Sequence, residues 1–314
     1  MASDIAWRIH LRLGFYLSLA AFLVYYLRGT DWRGLEELDL QPTVLLAIVP
    51  FSLASRFLQP LAWAVLIRDY GARPPRYPQL TLIHATSWLA RYIPGKLAWL
   101  GGKVLFGSRY GVDVRVLAIT SVAEAGIQMA TGLALAFLLF VLAGEVGRVS
   151  PRLRFFSVVA LCTVSVALLP PVFNAVVARL QALVDRQAST VEHRLSFGAV
   201  LSVGTLYLLI HGLGALPLFY LLKLVYVPLT LAHLTYVTAA SLLAGAVGAL
   251  AVFAPSGLGV REGVLIVLLG VVMPKEVTVV AVLLLRLWGI AMDLLFYAMA
   301  MILDRARPEI LESS

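Results

Sequence analysis

The chain has 314 residues, of which 61% are hydrophobic and 13% charged, where soluble domains run at about 45–50% and about 25%. A mean hydropathy of +0.91 excludes a soluble enzyme and points to a polytopic membrane protein. The net charge of +8 reads first as positive-inside anchoring and second as attraction for an anionic ligand.

Apolar runs long enough to span occur at 13–27, 43–67, 116–143, 155–173, 197–222, 232–254 and 277–303. Before the first, polar Asp4, Arg8, His10 and Arg12, with no small-residue cleavage pattern after the run, argue against a cleavable signal. Two shorter runs, 80–93 and 97–106, flank Pro94-Gly95, and another, 258–273, follows Pro255-Ser256-Gly257. A hydrocarbon core takes about 20 residues of helix, so the short runs read as broken or re-entrant segments. The expectation is an all-α polytopic membrane protein of about six to eight transmembrane helices, forming one integral-membrane domain over 1–314 with no soluble catalytic part. The charged segment 174–195 reads as an interfacial connector.

With the N-terminus inside and 80–106 entering and leaving on one side, 15 Lys and Arg fall in cytoplasmic segments and 7 in external ones. Both termini are therefore expected in the cytoplasm, with 31–39 outside. Pro94 and Pro255 lie 161 residues apart. The same offset carries 43–67 onto 204–228 and 116–142 onto 277–303, each pair running in opposite directions. This predicts an inverted repeat with halves 10–143 and 155–305.

A Pro/Gly break at membrane depth frees backbone amides, and a helix restarting there aims its positive end at a cavity. Arg91, Pro94, Gly95 and Lys96 at the first break, with Pro255, Ser256, Gly257, Gly259, Arg261 and Glu262 at the second, are the candidate site for an anionic head group. Glu262 is expected to orient Arg261. Arg56, Glu124, Arg286 and Asp293 form a candidate intramembrane charge network. Arg286 and Asp293 share a helix face, and a Glu124–Arg286 pair across the halves is expected because the two occupy equivalent places.

Gly257 to Gly263 lacks the strand and spacing of a dinucleotide loop, and Gly101-Gly102-Lys103 lacks the Ser or Thr of a phosphate loop. His84, His211 and His233 are too scattered for a metal site. Trp7, Trp32, Trp63, Trp88 and Trp99 read as interfacial belt residues. Cys162, the one cysteine, excludes a disulfide framework and reads as a core side chain. No cofactor, metal or nucleic-acid partner is expected.

The motifs Arg91-Tyr92-Ile93-Pro94-Gly95-Lys96, Arg109-Tyr110-Gly111 with Glu124, and Ala254-Pro255-Ser256-Gly257-Leu258-Gly259-Val260-Arg261-Glu262 resemble the signatures of the lysylphosphatidylglycerol synthase transmembrane-region family. It is also called the flippase-like domain family, and the resemblance runs from about 10 to 305. In the multiple peptide resistance factors of that family, this domain is thought to move an aminoacylated phospholipid between leaflets while a cytoplasmic domain attaches the amino acid. The resemblance implies the translocating part alone, acting on a phospholipid or lipid-linked glycan. A separate lipid-modifying enzyme or glycosyltransferase would then be its partner. The competing readings are a transferase acting on polyprenyl phosphate, disfavoured by the lack of an Asp-x-Asp-type carboxylate cluster, and an ion-coupled small-solute transporter using Glu124, Glu262 and Asp293.

Overall fold

The computed structural model describes residues 41–90, 98–143, 151–184, 194–251, 257 and 259–305. Ten α-helices follow in chain order: α1 Pro42–Asp69, α2 Tyr77–Leu89, α3 Ala98–Gly107, α4 Val114–Leu142, α5 Pro151–Ala167, α6 Pro170–Val184, α7 Phe197–Val225, α8 Leu234–Leu250, α9 Val260–Leu269 and α10 Lys275–Arg305. The described residues contain no strand, and five helices are long and apolar enough to cross a membrane: α1, α4, α7, α8 with the short turn before it, and α10. The chain is an all-α polytopic membrane protein. The run at 13–27 lies outside the described residues.

Helix ends follow local chemistry. Asp113 caps α4 by accepting the Arg115 amide, and Ser196 caps α7 by accepting the Ala199 amide. The expected span over 155–173 is instead two helices, α5 and α6, with a turn and a bend at Leu168 and Leu169. Pro170 follows, and a proline disfavours helical backbone in the residue before it. Asn174 of α6 locks onto the segment before α7, donating to the Leu195 carbonyl (3.0 Å) and accepting its amide (3.1 Å).

The long helices define two ends of the bundle. At one, Asp69 of α1 accepts from both the amide (2.9 Å) and hydroxyl (2.6 Å) of Ser196, so α1 and α7, which pack together, run antiparallel. Ile67, Leu80, Val112 and Leu117 pack into one cluster there, and Arg305 shares a cavity with Arg109. At the other, Phe140 and Ala143 pack with Leu222, Leu229, Tyr236 and Met273.

Two hairpins, α2 with α3 and α8 with α9, enter from these opposite ends. α2 and α3 return on themselves: Gly102 abuts Ser87, and a Cβ on it would lie 3.0 Å from the Ser87 hydroxyl. α8 and α9 do the same, with Gly248 against Arg261 and the Tyr236 hydroxyl donating to the Leu268 carbonyl (2.9 Å). At 1.5 Å per residue, α2 and α3 extend about 20 and about 15 Å, short of a hydrocarbon core of about 30 Å. α2 also packs on α10 and α8 on α4, so each hairpin touches a long helix from the far part of the chain.

Apolar side chains cover the outside, with Leu46, Phe155, Phe156, Leu287 and Ile302 all exposed. Cys162 belongs to that outer surface and not to the core, because α5 packs on one face only, mainly against α4. An apolar neighbourhood in a membrane helix does not distinguish the lipid-facing side from the packed one.

Candidate functional site

Polar residues of α1 recur at helical spacing: Ser52, Ser55, Arg56, Gln59 and then Trp63. These positions share one face, and that face points into the bundle: Ser52, Ser55, Gln59 and Trp63 are buried, and Arg56 is partly so. Three ion pairs fill the interior among the described residues.

The first joins α3 to α4. Lys103, 1% exposed, contacts the Glu124 carboxylate, 2% exposed, and Tyr207 of α7 donates to the other carboxylate oxygen at 2.7 Å. The Lys103 ammonium also sits 4.8 Å from the centre of the Trp63 ring, whose indole N–H donates to Thr120 at 3.1 Å. A cation on an aromatic face gains about 2 kcal/mol when desolvated. Beside this group, His84 Nε2 stands 3.2 Å from Gln59 Oε1.

The second joins α1 to α10. Arg56 reaches Asp293 Oδ1 through Nε (3.0 Å) and Nη2 (2.9 Å), and donates to the carbonyls of Ser52 and Gly289. The Asp293 side chain is fully buried. Trp288 donates to the Ser52 hydroxyl at 3.0 Å, a further tie between the same helices.

The third joins α9 to α10. Arg286 Nη1 donates to Glu262 Oε1 at 3.2 Å, while Glu262 Oε2 accepts the Gly259 amide at 2.7 Å. The start of α9 is thus partly satisfied by its own N3 carboxylate, a capping box with glycine at the cap. Gly257 and Gly259 have φ of +64° and +83°, in the left-handed region that favours glycine. A Cβ on Gly257 would fall 2.6 Å from the Gly248 carbonyl oxygen, so the backbone of α8 occupies that space.

These contacts correct three sequence expectations. Glu124 does not meet Arg286; its carboxylate is taken by Lys103 and Tyr207, and Arg286 goes to Glu262. Lys103, one of the 15 Lys and Arg counted as cytoplasmic, is buried. Trp63, assigned to the interfacial belt, is fully buried beneath it. Arg286 and Asp293 do share the inward face of α10, with partners on different helices. Arg91, Pro94, Gly95, Lys96, Pro255 and Ser256 lie outside the described residues.

All three pairs sit deep. Arg56 is halfway along α1, Glu124 is ten residues into α4, Arg286 eleven residues into α10 and Asp293 twelve residues from its end. At 1.5 Å per residue each is about 15–20 Å from the nearer helix end, within the middle third of helices about 42–46 Å long. Residues 10–296 match the family described as the lysylphosphatidylglycerol synthase TM region.

The chain belongs to that family. It is therefore a multi-pass membrane protein of a family with lipid-related function. No curated protein matches the chain. The family motifs fall on the two hairpins: the first spans the α2–α3 connection, and the second runs through Gly257 and Gly259 into the first turn of α9.

Proposed function

We propose that the protein is a flippase-like translocator for a phospholipid or lipid-linked glycan with an anionic head group. The observation that carries this reading is the set of three ion pairs held at mid-depth inside an apolar shell, two of which tie a hairpin to the long helix after it. Charges at that depth are costly and mark pathways for polar cargo. The two hairpins, entering from opposite ends, suit an inverted repeat whose halves work from opposite leaflets. The basic end carrying Arg68, Arg73, Arg109, Arg115 and Arg305 faces the cytoplasm in this reading.

In this reading the head group binds where the starts of α3 and α9 present positive dipole ends; Arg261 lies in the first turn of α9, and Arg91 and Lys96 precede α3 in the sequence. A phosphate arriving there competes with Glu262 for Arg286 and for the amides at the start of α9. Transport then needs the hairpins to exchange exposure between leaflets while the head group stays among cations.

The test is movement of fluorescent anionic lipid in vesicles holding matched amounts of folded protein. K96E and R261E should abolish movement, and the swaps K96R and R261K should slow it less. Vesicles carrying K96E and R261E that move lipid at the wild-type rate would refute the head-group site.

A further inference from the structure

A second feature lies away from the mid-depth pairs, at the end where α2, α3 and α10 meet. A cavity of about 270 Å³ opens there between the hairpin and the last turns of α10. Its floor is apolar, built from Leu82, Ile83, Phe106 and Met301, and Arg109 and Arg305 stand at its wall. The Arg109 guanidinium lies 5.2 Å from the centre of the Phe106 ring, which holds the charge over the apolar floor. Gly111, at φ +78°, closes the short turn that carries Arg109.

Both arginines are exposed, and neither forms an ion pair with a described carboxylate, Asp304 of the same wall included. We infer that this cavity is a binding site for the phosphodiester of an anionic membrane phospholipid, whose head group carries no cation to oppose the arginines, with the two guanidiniums on the phosphate and the first acyl carbons on the floor. Guanidinium suits phosphate because its planar donor fork matches two phosphate oxygens. The floor adds what a free phosphate could not use, an apolar surface on which the first acyl carbons of a lipid can pack. The volume accommodates a head group and a few methylenes, and the rest of the lipid stays in the bilayer. In the translocator reading, on which only its role rests, this is where lipid loads beside the hairpin before reaching the tips.

The experiment measures lipid retained by the purified full chain in nanodiscs, by native mass spectrometry, with phosphatidylglycerol against phosphatidylcholine. Wild type should prefer phosphatidylglycerol. R109E/R305E should lower that retention at least about tenfold, the factor equivalent to about 1.4 kcal/mol. R109K/R305K should keep part of it, and Asp304→Asn should raise it. R73E/R115E makes the same charge change on exposed residues of the same end outside the cavity, and should leave retention near wild type. Met301→Trp, which fills the floor, should weaken phosphatidylglycerol and leave glycerol phosphate binding unchanged.

Equal losses in R73E/R115E and R109E/R305E would reduce the effect to general surface charge and overturn the site. No preference over phosphatidylcholine would do the same. Unaltered lipid retention in M301W would assign the arginines to soluble phosphate and overturn the lipid assignment. Wild-type protein that binds phosphatidylglycerol here yet moves no lipid in vesicles would refute the translocator reading and leave the binding site standing.

Discussion

Lys103 and Glu124 provide the sharpest test of how the interior is held together. Lys103→Met removes the cation and leaves a carboxylate that is 2% exposed, with the Tyr207 hydroxyl as its remaining donor. Two unit charges 4 Å apart attract by about 4 kcal/mol at an effective dielectric of 20, and breaking a buried pair costs about 3–5 kcal/mol. The loss in K103M should fall in that range. Glu124→Gln leaves Lys103 charged but still on the Trp63 ring, so about 2–4 kcal/mol is expected. The double variant K103M/E124Q buries no charge, and Gln keeps an acceptor for Tyr207; it should lose only about 1–2 kcal/mol. The coupling energy is then about 5–6 kcal/mol. Reversible unfolding in mixed micelles measures all four proteins. A second cycle, E124Q with Arg286→Met, should be additive within about 0.5 kcal/mol, because Glu124 is held by Lys103 and Tyr207 while Arg286 is held by Glu262. Additive losses in the first cycle, or strong coupling in the second, would refute the pairing.

Three further outcomes are expected. Gly257→Ala should cost at least about 2 kcal/mol, combining a left-handed backbone with the collision against Gly248, and G257V more; Gly101→Ala, with open space around it, should be tolerated in the same thermal melts. Asp293→Asn should cost about 3 kcal/mol because it strips the counter-charge from Arg56, and a loss below about 0.5 kcal/mol in micelle unfolding would show that the carbonyls of Ser52 and Gly289 suffice. In a C162A background, single cysteines at 109 and 194 should label from the cytoplasmic side and one at 227 from outside; labelling of 109 and 227 from the same side would contradict the opposed ends of the bundle.

The long helices were legible because about 20 apolar residues leave few other solutions in a membrane, and the breaks at Pro94 and Pro255 marked the hairpins. The mid-span charges at Arg56, Glu124, Arg286 and Asp293 were also legible, since a charge inside an apolar run is anomalous wherever it points. Their partners were not. Offset arithmetic places Glu124 and Arg286 at equivalent positions, but equivalence under a two-fold relation does not imply contact. Lys103 was hidden by its position four residues from the end of α3, where a loop cation and a buried one have the same local sequence. Its signal was the Gly101-Gly102 pair before it, because Gly102 lets α3 lie directly on Ser87 and carries Lys103 inward. Trp63 and Cys162 failed for a shared reason. Hydropathy reports whether a helix partitions into lipid and is silent about which side of it packs.

In the proposed repeat, α3 with α4 corresponds to α9 with α10, and both units carry one ion pair between the returning hairpin helix and the long helix after it. The sign is reversed: the hairpin supplies the cation in Lys103–Glu124 and the anion in Glu262–Arg286. Holding a hairpin against its neighbour needs a pair and is indifferent to its order, so both arrangements satisfy the structural demand. They differ in what can reach them. Lys103 and Glu124 are sealed, at 1% and 2% side-chain exposure, whereas Arg286 and Glu262 retain 19% and 17%. A sealed pair is screened little and has no competitor, which suits a fixed joint. An anion that took the place of Glu262 would leave that carboxylate without its cation, so exposure and not the order of the signs separates the two joints. In the translocator reading proposed above, Arg286 is therefore the cation of the two joints that an anionic head group could reach.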